Sequence, residues 1–319
     1  MAGRRRKKSG GRSYAWRYRG RIVACVFVEV IIICALVIMI GWNKGVKEWF
    51  EQFEQPVLKE VDISGINSPN AILMQARGGK ILGEINGEAQ IYPASMTKIM
   101  TVILGIENFD DLDEKITLTD EMFSGLYEQD ATQAGFQPGE EVRVIDLLYG
   151  AMLPSGAECC IALADTISGS EADFAELMNK KARKLGMENT HFCDSTGLHN
   201  PDHYSTVKDI AVLMKYCIKN DTFREIVETS RHSTGVTNIH PDGITYYSTM
   251  FKNLSDPTVT GGKILGGKTG YTSEAGHCLV SFAEIEGREY IFVSAGASGA
   301  DGNTIPHIQD AVTVYNRVG

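Results

Sequence analysis

"PASMTKIM", residues 93–100, sets a serine three residues before a lysine, and the reading of this stretch decides the fold. A second Ser-x-x-Lys, "STVK", places Ser205 before Lys208. A chain of this length shows about one such pair by chance, so the spacing alone assigns no chemistry. Context separates the two. Ser95 leads into "TKIMTVILGIE", residues 97–107, which is apolar on nearly every side, as in a helix buried inside a domain. Lys98 is carried into that interior, where an unpaired ammonium is costly and a neutral amine beside a hydroxyl is a general base. The i, i+3 spacing keeps the two side chains on one face. Ser205 instead opens "STVKDIAVLMKYCIKN", whose buried stripe is Ile210, Leu213, Met214 and Cys217. Ser205 or Thr206 caps that helix, and Lys208 falls on its solvent side.

A base needs a reason to be neutral, and a second cation supplies one. "GGKTGYT", residues 266–272, places Lys268 in what reads as the start of a strand. Glycines on both sides let a substrate backbone approach closely, although alone the motif reads better as a strand with a glycine bulge. "MLPSGAE", residues 152–158, sets Ser155 in a Pro/Gly turn between helical segments, where alone it is a plain loop serine.

Around these motifs, "AILMQARGGKILGEIN" reads as a hairpin turning at Gly78-Gly79. "SEADFAELMNKKARKLGM" reads as a helix capped by Ser170 and Asp173, with Phe174, Leu177, Met178, Ala182 and Leu185 on one face and Gly186 as its stop. The C-terminal stretch reads strand, turn at Glu286-Gly287, strand, then a helix from Pro306 to Val318. Paired strands at both ends with helices between predict an α+β domain and not a βαβ series.

Charge divides the chain. Residues 1–21 hold nine Lys or Arg and no acid; of the 31 basic and 40 acidic side chains overall, 22 and 40 remain, a net of −18 for the rest. Basic charge confined to a tail argues against nucleic acid as a partner. "IVACVFVEVIIICALVIMIGW", residues 22–42, would make a helix of about 31 Å, matching a hydrocarbon core of about 30 Å. It is too long for a secretory h-region, and no small-x-small cleavage site follows. The basic tail predicts an uncleaved single-pass anchor with the N-terminus cytoplasmic and the remainder outside the membrane. Glu29 interrupts the span at some cost. Residues 43–67, polar and broken by Pro56, read as a juxtamembrane stalk, and residues 68–319 as the folded domain. Beyond the span lie Cys159, Cys160, Cys193, Cys217 and Cys278, an odd number, so at least one lacks an intramolecular partner. They read as small buried hydrophobes; His191-Phe192-Cys193 and His277-Cys278 hint at metal, without HExxH or paired CxxC spacing.

In order along the chain, "PASMTKIMT", "LLYGAMLPSGAE", "NTHFCDSTGLH", "HYSTVKDIA" and "GGKTGYTSEAGHCLV" resemble the blocks of the serine D-alanyl-D-alanine carboxypeptidases. These are the low-molecular-weight penicillin-binding proteins of the β-lactamase/transpeptidase superfamily. The resemblance runs from about Ala71 to the C-terminus and implies that fold: an antiparallel sheet flanked by helices, with a helical subdomain. It implies Ser95 as nucleophile on the peptide carbonyl before a terminal D-alanine, Lys98 as its base and Ser155 as proton relay to the leaving amine. The N–H groups of Ser95 and Tyr271 would form the oxyanion hole beside Gly270, and Lys268, Thr269 and Thr272 would hold the substrate carboxylate. Peptidoglycan stem peptides are then the substrates, β-lactams covalent inhibitors, and no metal or organic cofactor is required. Cell-wall construction is the setting.

Two departures stand out. The family's middle motif is Ser-x-Asn, whereas this chain has Ser155-Gly156-Ala157; a lost amide contact costs about 1–3 kcal/mol, or ten- to a hundredfold in rate. Glu158, next to it, reads as a first-turn helix acid. The short run after "GGKTGYTSEAGHCLV" finishes a sheet and a last helix, so the family's C-terminal β-rich domain and amphipathic anchor are expected to be absent, the N-terminal helix anchoring instead. Two alternatives remain: a β-lactamase of the same fold, disfavoured because no acid between Ser155 and Lys268 has Asn four residues on, and a weakened cell-wall binding or regulatory homologue, favoured only by Ala157.

Overall fold

The structure is a computed structural model that describes residues 59–299 and 305–319. The expected tail and span, residues 1–42, lie outside the described residues; among those described, no helix is long and apolar enough to cross a membrane. The chain runs β1 (Asn70–Gln75), β2 (Ile81–Ile85), a 3-10 turn (Ala94–Thr97), α1 (Lys98–Asn108), β3 (Lys115–Thr117), β4 (Glu141–Arg143), α2 (Val144–Met152), α3 (Ala157–Ser168) and α4 (Glu171–Leu185). It continues α5 (Val207–Cys217), α6 (Asp221–Glu228), β5 (Arg231–Ser233), β6 (Thr245–Tyr247), α7 (Thr249–Asn253), β7 (Thr258–Val259), β8 (Gly262–Thr272), β9 (Gly276–Ile285), β10 (Arg288–Ala297) and α8 (Pro306–Asn316).

Six strands form one antiparallel sheet in the order β2-β1-β10-β9-β8-β7. Cross-strand partners share a face. Leu73, Phe292 and Ser281 are in register, and the Ser281 and Phe292 positions meet Tyr315 of α8. Their neighbours Ile72, Val293 and Val280 turn the other way into the core shared with α1–α6. Both faces are covered, which is why β9 and β10 read as near-continuous apolar runs. Lys268 is in register with Val280 and so points to the helical side.

Helix ends follow their chemistry. Ser170 Oγ accepts from Asp173 N (3.1 Å), and Gly186 stops α4 with φ +79°. At α5 the cap is Thr206, accepting from Asp209 N (3.0 Å), while Ser205 is buried and meets Thr190 Oγ1 at 2.8 Å. Lys208 does reach solvent, pairing with Glu88.

Two boundaries differ from expectation. The folded unit does not open at residue 68: it reaches back to Lys59, and residues 61–67, expected as stalk, pack on it. Val61 N donates to Leu82 O (2.7 Å), Asp310 accepts from Asn67 and Ser68, and Arg317 donates to Asp62 O and Ser64 O (2.8 Å each). A polar stretch was folded in by partners over 240 residues away. Lys-Thr-Gly lies near the end of β8 and not at its start, because Gly266 and Gly267 continue the strand where side chains would strike Val227 O and Val280 O. The bulge falls earlier, between Ile264 and Gly266.

Candidate active site

Ser95 sits in the 3-10 turn that Pro93 starts, and Lys98 opens α1. In that first turn the N–H of Ser95 has no intrahelical acceptor to spend itself on. Ala94 holds φ +48°, a left-handed conformation costly to a residue with a Cβ. Gly197 backs it so closely that a methyl group there would collide with the Ala94 carbonyl. Lys98 is 3% exposed, and its Nζ donates to Ser95 Oγ (3.2 Å) and to Thr196 O (2.6 Å).

Ser155 lies in the turn between α2 and α3 and is also left-handed, φ +74°. Its Oγ donates to Ser95 Oγ at 3.0 Å and accepts from Lys268 Nζ at 3.0 Å; Lys268 also donates to Thr269 O (2.8 Å). The expected residues therefore stand in one hydrogen-bonded line, Lys98–Ser95–Ser155–Lys268. Burial, and next the charge of Lys98, hold the pKa of Lys268 well below the usual lysine value.

β8 supplies the opposite wall. β9 pairs along it through Thr272, but β7 meets only Gly262 and Lys263, so among the described strands the other edge of Lys268–Thr272 is unpaired. That edge abuts the nucleophile's turn: a Cβ on Gly270 would stand 2.9 Å from Ser95 N. Tyr271 is exposed, its ring tilted against that of His277. Thr269 Oγ1 meets Thr249 Oγ1 at 2.7 Å. Thr272 Oγ1 accepts from Ala275 N (3.0 Å) and so helps close the β8–β9 turn, with its O–H still available to donate.

Glu158 is not a solvated helix-start acid. It is fully buried, and its Oε1 accepts from Ala134 N (2.6 Å) and Gly135 N (2.9 Å). Together with Ala157 N donating to Thr132 O (2.8 Å), it clasps the 132–136 loop beside Ser155. Burial raises its pKa against the pull of those N–H groups. Sequence reasoning also missed Thr196, Gly197 and Thr249, whose only signal was membership of the quoted blocks or none. All five described cysteines are free and all but Cys193 are buried. Among the described residues no group of three or more His, Cys, Asp or Glu is placed to hold a metal ion.

A family model described as D-alanyl-D-alanine carboxypeptidase, peptidase family S11, matches residues 57–299. The chain is 35% identical over 231 residues to the D-alanyl-D-alanine carboxypeptidase DacF of Bacillus subtilis, covering 72% of this chain and 57% of that protein. It thus spans little more than half the length of that relative. Identity to the D-alanyl-D-alanine carboxypeptidase of Streptomyces sp. strain K15 is 37% over 205 residues, 62% of this chain and 69% of the other. The crystal structure of the Streptomyces K15 DD-transpeptidase superposes with a TM-score of 0.71 at 28% identity, covering 81% of this chain and 99% of that one. The match over 57–299 takes in Ser95, Ser155 and Lys268 alike, and the chain belongs to the D-alanyl-D-alanine carboxypeptidase family.

Proposed function

We propose that the chain is a membrane-anchored serine D-Ala-D-Ala carboxypeptidase that trims the terminal D-alanine from peptidoglycan stem peptides through a Ser95 acyl-enzyme. What carries the reading is the line Lys98–Ser95–Ser155–Lys268 running beside an unpaired strand edge. An extended peptide adds to such an edge as one more strand. Its carboxylate is drawn to Lys268 and the Thr269 hydroxyl, which sets the scissile carbonyl between the N–H groups of Ser95 and Tyr271. Ser95 Oγ bonds to that carbon as Lys98 takes the hydroxyl proton. The negative oxygen rests on the two N–H groups, each such donor worth about 3 kcal/mol of transition-state stabilisation. As the C–N bond breaks, the proton that Lys98 took passes through Ser155 to the leaving D-alanine amine, which leaves Lys98 neutral again. Water then attacks the ester, with Lys98 again accepting the proton. β-Lactams present a strained amide to the same serine and stall at the ester.

The test is incubation of the chain with labelled penicillin and mapping of the adduct by mass spectrometry. Label on Ser95, absent from Ser95→Ala and kept in Ser205→Ala, is the expected result; label elsewhere sinks the reading. The N-terminal sequence supports an uncleaved anchor in the cell membrane, N-terminus inside and domain outside, in contact with the bilayer through residues 22–42. A mature N-terminus near residue 45 in membrane fractions would overturn that topology. Ala157 favours a second reading, a weakened homologue that binds the wall. Release of D-alanine from a D-Ala-D-Ala peptide separates the two, and rapid turnover of penicillin would mark a β-lactamase instead.

A further inference from the structure

The loop between α4 and α5 is sewn to the nucleophile's turn at successive points. Thr97 Oγ1 meets His203 Nε2 at 2.9 Å, Lys98 Nζ donates to Thr196 O at 2.6 Å, and Thr101 Oγ1 donates to Ser195 O at 2.6 Å. Gly197 closes against the Ala94 carbonyl. Asp194 shapes that loop. Its Oδ1 accepts from Thr196 N (2.7 Å), Thr196 Oγ1 (2.7 Å) and Gly197 N (2.6 Å), and its Oδ2 meets His203 Nδ1 at 2.9 Å. Burial alone would raise its pKa, but the bonds from His203, Thr196 and Gly197 hold it at about 2.

His203 Nδ1 is met by Asp194 Oδ2 and by the Cys193 N–H (3.3 Å), and its Nε2 meets the Thr97 hydroxyl, so the ring bridges the loop to the nucleophile's turn. The order acid, imidazole, hydroxyl is that of a nucleophilic triad. Thr97 is fully buried and His203 is 2% exposed, so this hydroxyl cannot meet a substrate. Its neighbours can: Ser95 stands two residues before it and Lys98 one after. Ala94 persists in its left-handed conformation only if its surroundings fix it. We propose that Asp194, His203 and Thr97 form a positioning line that locks the Ser95 turn and the Lys98 amine in acylating geometry, with Asp194 also presenting the Thr196 carbonyl to Lys98. This rests on the reading of Ser95 as nucleophile.

Acylation of the full chain by labelled penicillin over a range of concentrations separates the limiting rate from the half-saturating concentration. Thr97→Val keeps the shape and removes the hydroxyl. The expected result is a limiting rate lower by about tenfold or more, with half-saturation within about twofold of the unaltered chain. Thr97→Ser, which restores the hydroxyl, should recover most of the rate. A Thr97→Val protein acylated at the ordinary rate overturns the inference, as does a Thr97→Ser protein as slow as Thr97→Val. Should Thr97→Val not fold, as judged by circular dichroism and thermal midpoint, His203→Gln, which cannot reach both partners, carries the same comparison against the same criteria. An unaltered chain with no adduct on Ser95 fails the functional reading and this inference with it, a result distinct from an acylated chain indifferent to Thr97.

Discussion

Gly270 and Ser95 touch backbone to backbone: a Cβ at Gly270 would lie 2.9 Å from Ser95 N and 3.1 Å from the Ala94 Cβ. Gly270→Ala therefore has to push β8 off the nucleophile's turn and widen the gap between the two N–H groups offered to the carbonyl. Acylation by penicillin should slow by about tenfold or more, with a stability loss of about 1–3 kcal/mol from overpacking. Stopped-flow acylation and urea denaturation measure the two. An unslowed Gly270→Ala chain would show that the strand edge is not the oxyanion wall.

Ala157 and Glu158 separate cleanly. Since both N–H groups held by Glu158 belong to the 134–135 backbone, the glutamate does not stand in for the missing asparagine amide. Ala157→Asn should then raise acylation by a D-Ala-D-Ala peptide by up to about tenfold. Glu158→Ala should cost about 1–3 kcal/mol of stability, and Glu158→Gln less, because one amide oxygen still serves both donors. No gain in Ala157→Asn combined with a large rate loss in a well-folded Glu158→Gln would place Glu158 in the chemistry after all.

Lys268 leaves a signature in the pH dependence of stability. Its pKa is lowered in the fold, so the unfolded chain binds more protons below the ordinary value of 10.5. Folding is penalised on the acid side, and the penalty lifts as the pH rises toward 10.5. Urea denaturation of the unaltered chain and Lys268→Met at about pH 7 and about pH 10 should show the difference moving in favour of the unaltered chain at the higher pH. A difference independent of pH would contradict the assignment.

His307 gives the acid limb. It is buried under a parallel stack with His277, ring centroids 5.0 Å apart, with Asp310 one turn along α8. Burial first, and then the His277 charge, lower its pKa from 6.5 to about 4, against a small opposing pull from Asp310. The unfolded chain again binds more protons between those values, so stability falls as the pH drops through that window. The loss is on the order of 3 kcal/mol, at about 1.4 kcal/mol per pH unit of displacement. His307→Phe should flatten the decline in denaturation midpoints across that range; an unchanged slope would assign it to the carboxylates instead.

What the sequence discloses is local, and what it hides is long-range. The hairpin at Gly78-Gly79, the caps Ser170 and Thr206 and the stop at Gly186 each rest on residues within a few positions, and all were legible. Lys98 was legible as a buried lysine because its surroundings are apolar in the sequence itself, whereas Lys268, set among glycines and threonines, was legible as a second cation and not as a buried one. The left-handed backbones of Ala94 and Ser155 were not, since neither residue type asks for that conformation and distant groups impose it. The Glu158 clasp spans over 20 residues and the Thr97–His203 bond over 100, distances across which a helix-start acid and a loop histidine look ordinary.

The clamps that Asp310 and Arg317 close on residues 62–68 decide how the domain can be held. The chain enters the fold beside β2, while the catalytic strand β8 is four places away in the sheet, roughly 19 Å at about 4.8 Å per strand. A load arriving at Lys59 falls first on the bonds from Asp310 and Arg317 at that far margin, and only then on the cleft.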